Sequence, residues 1–294
     1  MIRFSIVFLW KYSLFLLYKV CHYCLSPNTS KHAKFTFELT TVTTETYLYL
    51  FITGLCCGAI NAISGGSSLL SFPVLISTGM PANIANASNF LATMPGYAAA
   101  IPFYRKEFKH IKHALMSILC AGLFGAVTGS LILLVSSSDV FISLTPYLLL
   151  SATLLYALGD TIHTLMVKHC QNLQLKEGKT GQLLVYVFSI YGGFFGAGMG
   201  IIMLSLLRII GYSDFHQANA IKNLMITLMS LISVAIFILG GLIAWPEALV
   251  MMLGSAIGGY QMVKYANKVP QKWLRYFIIS LGLSFSTYYF FQLS

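Results

Sequence analysis

Apolar residues occur in this chain as long blocks separated by short polar loops. From residue 48 onward eight such blocks can be read, at about 48–79, 83–103, 112–135, 141–165, 183–209, 216–240, 245–263 and 274–292. Several reach the roughly 20 apolar residues a helix needs to span hydrocarbon. Two of them, 48–79 and 183–209, are interrupted midway by the same kind of sequence. The first interruption is Gly58-Ala59-Ile60-Asn61-Ala62-Ile63-Ser64-Gly65-Gly66-Ser67-Ser68, and the second is Gly192-Gly193-Phe194-Phe195-Gly196-Ala197-Gly198-Met199-Gly200. Each is followed by an apolar run, a glycine (Gly79, Gly211), and an Asn-bearing stretch, Ala85-Asn86-Ala87-Ser88-Asn89 or Ala218-Asn219-Ala220-Ile221-Lys222-Asn223. Matched, glycine-interrupted apolar segments in two halves of a chain point to a solute site between discontinuous helices.

Composition agrees with a membrane protein. Hydrophobic residues make up 57% of the chain and charged ones 9%, against about 25% charged residues in a soluble domain. The net charge of +10 does not point to nucleic acid, because the basic residues concentrate in short loops. One loop carries Arg105, Lys106, Lys109 and Lys112. Another carries Lys168, Lys176 and Lys179, and a third Lys264, Lys268, Lys272 and Arg275. The loops near 80, 136–140 and 241–247 have neither Lys nor Arg.

If every block crossed once, the basic loops after 103 and after 263 would face opposite sides, against the positive-inside rule. If 48–79 and 183–209 instead enter, break at their glycines and return, every basic loop faces the cytoplasm. The expected fold is therefore an all-α polytopic membrane protein of two inverted repeats, each with a re-entrant or broken helix plus three transmembrane helices. The expected units are an N-terminal extension or signal-like segment (1–47), a first repeat (48–167), a cytoplasmic linker (168–182) and a second repeat (183–294). The third block of each half adds a matching small-residue ridge, Gly125-x-x-x-Gly129 and Gly254-x-x-x-Gly258, the spacing that lets helices approach closely in lipid.

Breaking a helix inside a membrane frees backbone N–H and C=O groups that must be satisfied by protein or by a watery cavity. Half-helix N-termini present N–H groups and a positive dipole end, which suit an anion. Gly65, Gly66 and Ser67 in the first break, and Gly198 and Gly200 in the second, are the expected backbone donors. Asn86, Ser88, Asn89, Asn219 and Asn223 can hold an oxyanion through neutral side chains. Lys222 lies within a span, where a cation is expensive and marks function, although a lysine near a helix end can also snorkel to the interface. Arg208 and His216 lie near a membrane boundary. Asp160 and His163, one turn apart, could relay protons or mark a cytoplasmic helix end. Pro73, Pro95 and Pro102 would kink helices, and Pro95-Gly96 suggests an opening near the site.

Other chemistry finds little support. Cys21-His22-Tyr23-Cys24 has no second Cys or His pair at zinc-site spacing, so no metal and no cofactor are expected. There is no H-E-x-x-H, P-loop or G-x-S-x-G motif, and no carboxylate pair for hydrolysis near the breaks.

In order and spacing, both interrupted stretches and the Asn segments after them, through Trp245, resemble the two signatures of the sulfite exporter TauE/SafE family. That family has Gly-Gly-Gly where this chain has Gly65-Gly66-Ser67, and commonly Thr where Ser88 stands. The resemblance covers about 48–294 and implies a multi-pass permease of the bacterial inner (cytoplasmic) membrane for sulfite, sulfonates or related sulfur oxyanions. The expected function is thus a non-enzymatic secondary transporter, an exporter working by alternating access. The rival readings are a passive anion channel and, more distantly, an intramembrane enzyme. The expected partners are a small anion, the lipid bilayer, a coupling ion and a second copy of the chain, with no nucleic acid.

Overall fold

A computed structural model describes residues 44–63, 65–110, 114–170, 179–212, 214–265 and 271–293. The expectations for residues 1–43, the Cys21–Cys24 pair among them, and for the middle of the 168–182 linker lie outside the described residues, as do the side chains of Asp160 and His163. All regular structure among the described residues is helical. In the first half run α1 (Thr44–Ile63), α2 (Ser68–Ser77), α3 (Ala82–Ala98), α4 (Ala114–Val135) and α5 (Ser138–Cys170). The second half has α6 (Lys179–Phe194), α7 (Met199–Ile210), α8 (Phe215–Leu239), α9 (Trp245–Tyr265) and α10 (Gln271–Leu293). Two short 3₁₀ turns, Ile101–Tyr104 and Glu107–His110, join α3 to α4. Four described helices are long and apolar enough to cross a membrane: Thr44–Ile63, Leu115–Val135, Ser138–Leu158 and Phe215–Leu239. Met116, Phe124, Val135, Leu154 and Leu253 are exposed on helix faces, a surface suited to lipid.

Both interrupted blocks fold as two helices with an irregular joint, as the glycines predict. Gly79 and Gly211, both at positive φ, end the shorter helices α2 and α7. Pro81 sets the extended backbone before α3, and Asp214 caps α8 by accepting a hydrogen bond from the Gln217 N–H at 2.8 Å. The Pro95-Gly96 pair does not open a helix. α3 runs through it, and Gly96 instead packs its backbone against the Cα of Gly58 and of Gly259.

Packing register fixes the direction of each broken segment. Gly54 of α1 lies on Met251 and Gly58 on Ser255, while Gly254 lies on Phe51 and Gly258 on Leu55, so α1 and α9 run parallel. The hydroxyl of Ser88, near the start of α3, accepts a hydrogen bond from the Ala244 N–H just before α9 (2.9 Å). The starts of α1, α3 and α9 therefore share one end of the bundle, and α2, which leads into α3, returns to the end where α1 began. The same holds in the other half. Gly125 lies on Tyr186 and Gly129 on Ile190, so α4 and α6 are parallel and start after the basic loops. Asn219 at the start of α8 bonds Tyr104 after α3, so α7 returns to the end where α6 began. The hairpins α1–α2 and α6–α7 enter from opposite ends of the bundle.

The glycine ridges lock the halves together crosswise. The α9 ridge packs on the long arm of the first hairpin, and the α4 ridge on the long arm of the second. In both places a side-chain carbon would strike backbone: at Gly58 the Ser255 carbonyl oxygen, at Gly129 that of Ile190, at Gly193 that of Ala126. Backbone cannot swing aside as a side chain can. Gly58→Ala is expected to cost about 1–3 kcal/mol, read as a lowered melting temperature in detergent. Gly122→Ala, which would crowd only the terminal methyl of Met225 and otherwise meet Ser189 and Val185 at ordinary contact distance, is expected to cost clearly less.

Candidate functional site

The two joints are closed in the same way. The N–H of Gly65 reaches back to the carbonyl of Ile60 (3.1 Å) and that of Gly196 to the carbonyl of Tyr191 (3.2 Å), five residues earlier in each case. Gly65 and Gly66 sit at φ of 79° and 93°, and Gly196 and Gly198 both at 73°, the left-handed region that glycine enters at no steric cost. Side chains hold the shape. The Asn61 side-chain oxygen accepts from the Ser67 N–H (3.3 Å) while its amide donates to the Thr93 carbonyl (3.3 Å). In the second joint the Tyr191 hydroxyl donates to the Ala197 carbonyl (2.8 Å). The joints also touch: a side-chain carbon on Gly65 would lie 2.6 Å from the Cα of Gly200. The tips of the oppositely directed hairpins thus meet in the interior.

Beside this meeting point lies a small cavity of about 20 Å³, room for about one water. Ser68, the first residue of α2, and Met199, the first of α7, both line it. α3 contributes Asn89, Thr93 and Tyr97, and α8 contributes Ser230 with Ile226 and Met229. The N-terminal ends of both short helices therefore converge on one space, walled by the antiparallel pair α3 and α8. Matching ties close that pair at its two ends. At one, Ser88 accepts from Ala244; at the other, the Asn219 amide donates to the Tyr104 hydroxyl (2.8 Å). Burial, and after it the neighbouring Glu107 carboxylate, raise Tyr104 above the ordinary phenol range against the lowering effect of the Asn219 bond, so it stays a neutral hydroxyl.

The sequence-predicted residues divide by position. Gly65, Gly66, Ser67, Gly198 and Gly200 form the joints and the first turns of the half-helices. Gly66 packs against the buried Tyr156 ring and donates its N–H to the Tyr97 phenol. The Ser67 hydroxyl is buried without a partner. Asn89 lines the cavity and accepts from the Ser71 hydroxyl. Asn86 reaches across the halves to donate to the Phe194 carbonyl (2.8 Å), and Ser88 is committed to its tie. Asn219, Lys222 and Asn223 lie on α8, toward the Tyr104 end of the cavity.

Lys222 does not snorkel. Its side chain is fully buried (0% exposed) and its Nζ has no hydrogen-bond partner; the Tyr97 ring centre lies 5.9 Å away. Both polar atoms of the Asn223 side chain and the Asn219 oxygen are likewise buried without partners. Arg208 is partly buried and His216 exposed, in keeping with places near a boundary.

Several residues of the site escape a reading of the glycine breaks and Asn segments alone. Asn61 sits inside the first motif, and its polarity within an apolar run was the available signal. Thr93, Tyr97 and Ser230 carry no such mark, since hydroxyls and tyrosines are ordinary in membrane helices.

Comparison with known proteins fits this architecture. The family model described as "Sulfite exporter TauE/SafE" matches residues 50–289. The chain is 32% identical over 228 residues to a "Probable membrane transporter protein" of Haemophilus influenzae, covering 74% of this chain and 86% of that protein. It is 25% identical over 240 residues to the "Probable membrane transporter protein YfcA" of Escherichia coli K12, covering 78% of this chain and 84% of the other. A "Probable membrane transporter protein ORF9" of a Sinorhizobium species is 23% identical over 239 residues, covering 80% and 89%. No solved structure gives a significant match. With two broken helices meeting at a closed interior cavity and the family signature running through both halves, the chain is a multi-pass membrane transporter that belongs to the sulfite exporter TauE/SafE family.

Proposed function

We propose that this transporter moves small anions, sulfite, sulfonates or related sulfur oxyanions, outward across the bacterial inner membrane by alternating access. The observation that carries the reading is the convergence of two half-helix N-termini, at Ser68 and Met199, on one cavity between the halves. Such termini offer N–H groups and a positive dipole to an anion. Asn89 would add a side-chain contact, and Lys222 a counter-charge from the same face of α8. Gly65, Gly66, Ser67, Gly198 and Gly200 would shape the backbone around the solute. Residues 48–167 and 183–294 would act as inverted repeats linked through 168–182.

Closure at both ends supports a carrier over a channel. The tie from Ser88 to Ala244 and that from Asn219 to Tyr104 shut the α3–α8 pair on either side of a cavity too small for an oxyanion. A carrier passes through such a state in each cycle, opening one tie at a time. An open pore needs both ends wet together.

Flux in proteoliposomes tests the proposal, with sulfite, thiosulfate, sulfoacetate and taurine in competition. Saturable flux with counter-flow acceleration is expected; no saturable flux of any of them would overturn the transport reading. Lys222→Gln and Asn89→Ala are each expected to lower flux at least about tenfold, the loss of roughly 1.4 kcal/mol of binding, with the protein still in the membrane. Unchanged flux in both would misplace the site. Sidedness has its own test in a background with all six native cysteines replaced. Thr78→Cys after α2 and His216→Cys at the start of α8 are expected to react with an impermeant reagent from opposite faces, and reaction from one face would refute the inverted arrangement.

A further inference from the structure

The buried amine of Lys222 bears on what accompanies the solute. Asn219, Lys222, Asn223, Ile226, Met229 and Ser230 fall within about 120° of arc on α8, and the last three line the cavity. Lys222 is therefore on the cavity stripe, less than two turns from the space between the half-helices. Its Nζ has no hydrogen-bond partner, and an isolated ammonium in such a place costs several kcal/mol. The Tyr97 ring at 5.9 Å offsets only part of that cost as a cation–π contact.

The elements packed around α8 bring no counter-charge to it among the described residues. α3 presents Tyr97, and the turn after it Tyr104, which is already held by Asn219. Glu107 lies beyond Tyr104, in the second 3₁₀ turn. α7 carries Arg208, itself a cation with a buried, unpartnered Nε. α4 carries Cys120, which is exposed. α6 carries Lys179, Tyr186 and Tyr191, and the Tyr191 hydroxyl donates to Ala197. A charged Lys222 thus lacks a protein partner, and an anion in the cavity would supply one.

We infer that Lys222 binds a proton together with the anion, so that proton and solute occupy the carrier in one state. In the empty, closed carrier the side chain is the neutral amine. When the cavity opens to water and an anion enters, the amine lone pair takes a proton from that side and becomes the ammonium facing the anion. On the opposite side the anion leaves, and the ammonium, again without a partner, gives its proton to water. One proton moves with each anion and cancels one unit of its charge. The inference rests on the reading of this cavity as the anion site.

The test is calorimetry of anion binding to the detergent-purified full chain, at mildly alkaline pH, in two buffers of different ionisation enthalpy. Thiosulfate and sulfoacetate serve as probes, because both are fully ionised there and bring no proton of their own. A buffer-dependent heat equal to the uptake of about one proton per anion is expected. Lys222→Arg, permanently charged, is expected to bind with no proton uptake, and Lys222→Gln to bind at least about tenfold more weakly. Anion binding by the unaltered chain without proton uptake would overturn the inference and leave the transport reading standing. Proton uptake that survives in Lys222→Arg would overturn the assignment to this residue. If neither probe binds, the reading of the site itself falls. Should Lys222→Arg fail to fold, the two-buffer comparison on the unaltered chain decides proton uptake, and Lys222→Gln at saturating anion, expected to bind without uptake, decides the residue.

Discussion

A helix broken inside a membrane protein leaves polar backbone groups that lipid cannot satisfy, and the rest of this structure is arranged around that constraint. Each broken segment turns back at a joint closed by a backward backbone bond, from Gly65 to Ile60 and from Gly196 to Tyr191. Polar side chains then finish the accounting: Asn61 satisfies Ser67, Asn86 reaches the Phe194 carbonyl, and Tyr191 bonds Ala197. Asn86 makes its bond across the two halves, so the backbone of one joint is completed by the other half of the molecule. The joints can exist only with their neighbours in place.

The same arrangement explains the chemistry at the centre. Once both hairpins turn inside the protein, the N-terminal ends of α2 and α7 face a shared space. The walls of that space come from α3 and α8, which begin directly after the returning arms. This is why the polar residues gather just past Gly79 and Gly211: a side chain in the first turns of α3 or α8 reaches the joints, the cavity or the end ties. Lys222 goes furthest, because it brings a buried, unpartnered amine to the face of α8 that carries the cavity-lining residues.

Much of this could be read from the sequence, for identifiable reasons. The breaks were legible because glycine runs inside apolar blocks have few other uses, and the return of each hairpin because Lys and Arg sit in some loops and are absent from others. Gly125, Gly129, Gly254 and Gly258 announced close packing, but not which helix they meet, since a ridge carries no address for its partner. Pro95-Gly96 misled: a proline kink and a glycine contact look alike in sequence, and the backbone of α1 and α9 against Gly96 decides for contact. The burial of Lys222 could not be foreseen either. Its place about two turns into a helix suits a snorkelling residue equally well, and only the tertiary packing around it, the Tyr97 ring of α3 included, excludes water. Ser88 and Asn219 read as ligand contacts, whereas the structure commits Ser88 and the Asn219 amide to the end ties.

The crosswise glycine ridges bear on how the molecule is made. The arm of the first hairpin, α1, finds its main wall in α9, far downstream in the chain, and the α4 ridge must wait for α6. Within the first half alone, α1 and α2 would keep their contacts with α3, but the α4 ridge would lack the backbone it packs on. Neither half completes its core without the other. A cell making this protein therefore holds the long arm of the first hairpin without its main wall until α9 has been synthesised.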